Sequence, residues 1–215
     1  MKNFSNKYIF IYITILVIIV AVLLALAAVA LQPRQEENKL MESYAQVLIS
    51  VGYAEKEVAG REVIKTYQQL ADTITADNDL IALKVKTKDG AFNYVIPVRG
   101  KGLWGPVWGY IAVAEDGNTI TGAVFAHKGE TPGLGAEIAT PQFADEFKGK
   151  QLFDENGEFV SVRVVKGGVA NSNINPLHGV DAITGGTVTS NGVDKMLSDC
   201  LKQYAGFLQQ LKNHE

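Results

Sequence analysis

The chain has a single cysteine, Cys200, among 215 residues. One thiol forms no internal disulfide and builds no cysteine cluster for a metal. Histidine is nearly as scarce: His127, His178 and His214 are scattered, with no metal-ligand spacing between them. A structural metal is therefore not expected. An excess of positive charge is missing too. Of the 20 Lys and Arg residues, Lys2 and Lys7 precede residue 32, which leaves 18 basic against 23 acidic groups in residues 32–215, a balance of −5. Such a surface offers no basic patch to nucleic acid. Internal repeats and low-complexity stretches are absent as well. The last shortage is local: Tyr8 to Leu31, 24 residues, contains no charge at all.

That uncharged run bears on the compartment. As a helix it extends about 36 Å, enough to cross a bilayer core of about 30 Å. Tyr8 and Tyr12 stand where interfacial aromatics are expected. A cleaved signal peptide is the rival reading, and Ala28-Val29-Ala30 resembles a cleavage site. Signal-peptide cores run only about 7–15 residues, which favours a retained anchor. Lys2, Lys7 and the amino terminus precede the span, while Arg34 and Lys39 follow it. The positive-inside rule then leans slightly towards an inner N-terminus. The expected order is a short cytoplasmic tail (1–7), a transmembrane helix (8–31) and an extracytoplasmic domain (32–215).

About 180 residues after the anchor suffice for one sizeable core. Leu40, Tyr44, Val47, Leu48 and Val51 fall at helical spacing over residues 34–51, and a second helix is expected over Val58 to Tyr67. From Leu80 the texture becomes strand-like. Leu80–Thr87 and Phe92–Val98 flank Lys88-Asp89-Gly90, a hairpin turn; Val107–Ala114 and Thr119–Ala126 flank Glu115-Asp116-Gly117-Asn118, a second one. Pro141–Phe147 reads as a short helix, Phe159–Val165 as a strand, and 190–212 as a closing helix. The closing helix carries Val193, Met196, Leu197, Cys200, Leu201, Tyr204, Leu208 and Leu211 on one stripe. On that stripe Cys200 is expected to be a small buried residue. Strands in the middle with helices at both ends imply an α+β domain with a largely antiparallel sheet.

Three segments carry chemistry. Gly100-Lys101-Gly102-Leu103-Trp104-Gly105 matches a dinucleotide fingerprint in its letters only, because Pro106 and a β-type run follow where a helix is needed. Its content is Trp104, which either anchors a hairpin or lies against a planar ring. Gly129-Glu130-Thr131-Pro132-Gly133-Leu134-Gly135 is a tight loop whose N–H groups can point inward, with Leu134 projecting from it. Residues 181–190, Asp-Ala-Ile-Thr-Gly-Gly-Thr-Val-Thr-Ser, lead into the closing helix, for which Thr189 or Ser190 is a natural N-cap. A hydroxyl in a glycine turn at a helix start is either a plain cap or a phosphate site, because free N–H groups and the helix dipole converge there.

The segment from Asp181 to Thr187 resembles the acceptor motif on which a flavin transferase esterifies FMN through its phosphate to the last threonine. Gly186 stands where alanine is commoner. An alkyl hydroxyl is a poor nucleophile without help, so the modification needs that separate enzyme. Together with the anchor, Gly-Lys-Gly-Leu-Trp (100–104), Gly-Glu-Thr-Pro-Gly-Leu-Gly (129–135), Val-Lys-Gly-Gly (165–168), His-Gly-Val-Asp (178–181) and Thr-Ser-Asn-Gly-Val (189–193) occur in an order similar to that of the C subunits of the Na+-translocating NADH:quinone reductases. The G subunit of the Rnf electron-transport complex shares the Thr-Pro-Gly-Leu-Gly loop and the acceptor motif and is the nearest alternative. A flavin-free, membrane-tethered binding module, or an enzyme using loosely held FMN, is the reading from another class.

The resemblance implies an electron relay, inactive alone, within a sodium-translocating complex of the bacterial inner membrane. It would carry covalent FMN on Thr187 in a periplasmic domain. Thr184 and Gly185 would line the phosphate. Trp104, Glu130, Thr131 and Leu134 would line the isoalloxazine. Lys166 would set a positive charge near the reduced flavin or would simply be solvated. Asp181 would be read by the flavin transferase. The implied partners are the other membrane subunits, the transferase and membrane lipid. Sodium coupling would belong to the assembly, since one apolar span without ionisable residues offers no ion path.

Overall fold

The two turns that the sequence marks with glycine organise the sheet. In the computed structural model, which describes residues 5–53 and 61–212, Lys88-Asp89-Gly90 joins β2 (Ile81–Lys86) to β3 (Phe92–Lys101), closed by the Thr87 amide donating to the Ala91 carbonyl at 2.9 Å. Glu115-Asp116-Gly117-Asn118 joins β4 (Pro106–Val113) to β5 (Ile120–His127). With β1 (Ala71–Thr75) at one edge, the five strands pair in chain order, each antiparallel to the next. The expected antiparallel sheet is present, and β1 is a strand that the sequence pattern did not mark. The β1 segment, Ala-Asp-Thr-Ile-Thr, escapes periodicity because Ile74 is its only large apolar residue.

Alternation along β3 sends successive side chains to opposite faces. Ile96 and Val98 join Ile111, Phe125, Phe143 and Phe147 in the main core, completed by α4 (Thr187–Gln203) and α5 (Ala205–Lys212). Val95 turns the other way, with Val85 and Ala112, against Val47 and Val51. Each such large side chain, removed from water, contributes about 1.5–3 kcal/mol.

The closing helix differs from expectation at both ends. It starts at Thr187 and divides at Tyr204, whose amide bonds to the carbonyl of Leu201 and whose hydroxyl donates to the Ile81 carbonyl at 2.8 Å. The stripe itself is as expected: Val193, Met196, Leu197, Leu201, Tyr204 and Leu208 are buried. Cys200 is only partly buried, its thiol 3.5 Å from the Arg99 carbonyl.

Other boundaries move for local reasons. The strand expected over Phe159–Val165 shrinks to β6 (Arg163–Val165), because Ser161 adopts φ +62° and breaks the extended run. β6 pairs in parallel with β7 (Gly179–Asp181), a separate two-stranded unit. The short helix α3 covers Pro141–Asp145, with Thr140 as its N-cap. α2 spans Arg61–Leu70, and the expected start at Val58 lies outside the described residues.

The expected anchor and the helix after it form one helix, α1 (Asn6–Ser50), which continues through Pro33. The chain divides into two compact units, residues 1–42 and 43–215. In the first, residues 8–31 present exposed apolar side chains, and the helix, with a mean hydropathy of 3.3 over its most apolar window, is long and apolar enough to cross a membrane. In the second, the last turns of α1 bury Ala45, Val47 and Leu48.

Candidate flavin-attachment site

Thr187 is the first residue of α4. Its preceding turn is held by three bonds. The Gly186 amide donates to the Ile183 carbonyl at 3.0 Å, the Ile183 amide to the Ser190 hydroxyl at 3.1 Å, and the Ser190 amide to the Gly186 carbonyl at 2.8 Å. The expected capping by Thr189 or Ser190 is therefore corrected: Gly186 is the N-cap residue and supplies no side-chain bond. Both hydroxyls are engaged elsewhere, Ser190 with Ile183 and Thr189 with Glu130. The amides of Thr187, Val188 and Thr189 precede the first helical bond and find no partner among the described residues. Free amides at the positive end of a helix dipole attract an anion.

A cleft of about 120 Å³ opens beside them, lined by Leu103, Glu130, Thr131, Leu134, Gly135, Gly185, Gly186, Thr187, Val188 and Thr189. The structure thus brings together Thr187, Gly185, Glu130, Thr131 and Leu134, from segments more than fifty residues apart. Gly185 is required there. Its φ is +76°, and a Cβ would fall 2.6 Å from Leu134 Cδ2. Sequence reasoning missed Leu103, Gly135, Gly186, Val188 and Thr189 as lining residues. Thr184, Trp104 and Lys166 lie outside this lining. Trp104, at 69% exposure, is at the edge through its neighbour Leu103, while Lys166 is solvated on the loop after β6.

The loop of residues 129–135 differs from the expected cradle of inward amides. Leu134 and Ala136 donate to the Thr131 carbonyl, and Gly133 donates to the Glu137 carboxylate, so these groups are used within the loop. Glu130 is buried, at 4% exposure. Burial pushes its carboxyl up, but hydrogen bonds from the Thr189 hydroxyl and the Trp104 amide outweigh burial and hold it below the ordinary carboxylate value. It is ionised at neutral pH.

Asp181, at the end of β7, is exposed, but its carboxylate accepts the Val169 amide at 2.8 Å and its own amide donates to Glu146 at 2.7 Å. It braces the loop after β6 in addition to opening the motif.

The donor set suits the phosphate end of FMN: free amides, a helix start and a hydroxyl. The cleft is smaller than the about 300–1,000 Å³ of usual small-molecule sites. The exposed Leu103, Trp104, Leu134 and Val188 are available to a planar ring outside it. A larger cavity, about 560 Å³, is lined by Val51, Thr87, Lys88, Asn93 and Asp116 among others, and includes nothing from the acceptor segment.

Residues 102–202 match the family described as FMN-binding domain, a span that contains the whole cleft. The C subunit of the Na(+)-translocating NADH-quinone reductase from Pseudomonas aeruginosa is 30% identical, over 87% of this chain and 89% of that protein. The chain belongs to this family of C subunits. Its identity to the Vibrio vulnificus member is higher, 39%, but spans 65% of this chain and about half, 53%, of that relative. The crystal structure of the Parabacteroides distasonis member is 38% identical and superposes with a TM-score of 0.72, covering 83% of this chain and 96% of the other. Membership in the family agrees with the α+β fold, the FMN-binding domain and the apolar N-terminal helix of the chain.

Proposed function

We propose that the protein is an electron-relay subunit of a sodium-translocating NADH:quinone reductase, carrying FMN esterified through its phosphate to Thr187. The observation that carries this reading is the position of Thr187: a hydroxyl on the first residue of α4, beside three amides without partners among the described residues, in a cleft open to solvent. The bound flavin would supply the redox chemistry. The chain would hold it: the amides of residues 187–189 neutralise phosphate charge, and Gly185 lets the turn approach Leu134. The apolar helix would tether the domain to the bacterial membrane, where the other subunits exchange electrons with it.

Thr187 is also favoured over its neighbours. Thr189 and Ser190 are buried and hydrogen-bonded, whereas the Thr187 hydroxyl has no partner among the described residues. Attachment is tested by co-producing the full-length protein with a flavin transferase and precipitating it with acid. A yellow pellet, with the mass of FMN less water on the peptide containing Thr187, is expected. A colourless protein would support the flavin-free module, and a yellow supernatant a loosely held cofactor. Thr187→Ala should give a folded, colourless protein.

A further inference from the structure

We propose that Glu130 is the positioning residue of the attachment site: its carboxylate clamps the first turn of α4 against the β3–β4 turn and so presents Thr187 for modification. The inference rests on Thr187 being the residue that takes the flavin.

Two separate segments meet at this one side chain, and a further bond anchors its backbone. Oε1 accepts the Trp104 amide at 2.9 Å, from the turn between β3 and β4. Oε2 accepts the hydroxyl proton of Thr189, from the first turn of α4. The amide of Glu130 itself donates to His127 Nδ1 at 3.1 Å, at the end of β5. Neither neighbouring glycine leaves room to spare: a Cβ on Gly102 would fall 2.5 Å from Oε1, and one on Gly135 would fall 2.7 Å from Oε2. The carboxylate is thus wedged between two loops, with both oxygens occupied by chain groups.

This arrangement explains why a charged group is buried beside a site for an anionic phosphate. Electrostatics alone would disfavour it, because two negative charges repel more strongly as water is excluded. An ionised carboxylate is, however, an acceptor on both oxygens and accepts two bonds in fixed directions. The bond to Thr189 fixes the hydroxyl two residues beyond Thr187 and keeps its proton turned inward. The Ser190–Ile183 bond holds the other side of the same turn. Thr187 lies between these two attachments, with its hydroxyl left for the transferase. Glutamine can reproduce the geometry: its carbonyl accepts from Trp104, and its amide donates to Thr189 once that hydroxyl rotates to accept.

The test uses full-length protein with Glu130→Ala, Glu130→Gln and Thr189→Val. The last removes only the hydroxyl and keeps the shape. In flavin-free protein, the hydrogen-bonded amides of Ile183, Gly186 and Ser190 should exchange hydrogen faster in Glu130→Ala and Thr189→Val, while those of β3 and β4 keep their protection. On incubation with flavin transferase and its flavin donor, these two variants should acquire flavin more slowly, on the order of 10- to 100-fold, as expected for a misplaced reacting group. Glu130→Gln should load at nearly the wild-type rate. Thr189→Val with wild-type exchange and loading would overturn the proposal, even if Glu130→Ala failed to fold. Slow loading of Glu130→Gln with wild-type exchange would overturn it as well, by showing that the charge matters and the position does not. Wild-type protein loaded at some residue other than Thr187 would instead refute the attachment reading, while the exchange data would still judge the clamp.

Discussion

At the residue scale, the site shows how far a motif reaches. Thr187 and Gly185 are legible only through the acceptor motif, because a hydroxyl in a glycine turn before a helix serves equally well as a plain cap. Glu130 is legible only as a loop residue; its bonds to Trp104 and Thr189 join positions 26 and 59 residues away, which no local pattern encodes. Its titration gives a check on the clamp. The folded-state pKa lies below the ordinary value of 4.5, because bonds to the carboxylate outweigh burial. Its contribution to stability is therefore fully present above that ordinary value and is lost as pH falls through the lower, folded one. Urea unfolding should show Glu130→Gln less stable than wild type at neutral pH, with the gap closing below about pH 4.5. A gap that stayed constant with pH would mean that the carboxylate is not ionised in the fold. Leu134 offers a second check. It is 42% exposed, so Leu134→Ala should change stability by about 1 kcal/mol or less. Leu197→Ala, at a fully buried position of the stripe, should cost about 2–5 kcal/mol. On flavinylated protein, Leu134→Ala should also raise flavin fluorescence if the ring rests on that side chain.

At the scale of elements, periodicity located what is long and half-buried. Both central hairpins and the stripe of α4 and α5 follow from it, because alternation and helical spacing are imposed by one buried face. The elements that were missed or misjudged are held by side chains instead. β1 has one large apolar residue; β6 and β7 are three residues each and depend on distant polar ties. Asp194 of α4 takes Arg163 Nε at 2.9 Å, a second guanidinium nitrogen at 3.0 Å and the Val164 amide at 2.9 Å, fixing β6 to the helix that starts at Thr187. Asn118 acts similarly, its carbonyl oxygen accepting the amides of Leu152 and Phe153 at 3.0 and 2.8 Å. Asn118→Ala would strand the Phe153 amide beside fully buried side chains, while the Leu152 amide keeps the Asn118 backbone carbonyl at 3.1 Å; the change should cost about 1–3 kcal/mol, seen as a lowered denaturant midpoint with an unchanged slope. Asn118→Asp, which keeps the acceptor, should lose much less. Equal losses in both would show that the Phe153 amide is satisfied by another group.

At the scale of the whole molecule, the apolar helix and the domain make different demands on the same chain. The apolar stretch of α1 exposes large side chains throughout residues 8–31, which only a lipid or protein environment would cover. The charges around it are nearly balanced, with Lys2 and Lys7 before it and Arg34 and Lys39 after it, so charge alone gives little guidance on orientation. We propose that the N-terminus is cytoplasmic and that residues 43–215 lie on the outer face, where attachment of FMN would then also occur. Uncleaved helix and outward domain make two separable predictions. Intact-mass measurement on the membrane-extracted protein should include residues 1–30, against a chain beginning at Leu31 if the Ala-Val-Ala site were cut. Fusions at the C-terminus should be active for a reporter that functions only outside the cytoplasm and silent for one that functions only inside. Adding three lysines between residues 32 and 39 should reverse or mix the two reporter signals, because the native bias rests on so few charges. If the unaltered chain gave an active cytoplasmic reporter, the transferase would have to meet Thr187 on the inner side, and an outward-facing domain would be ruled out.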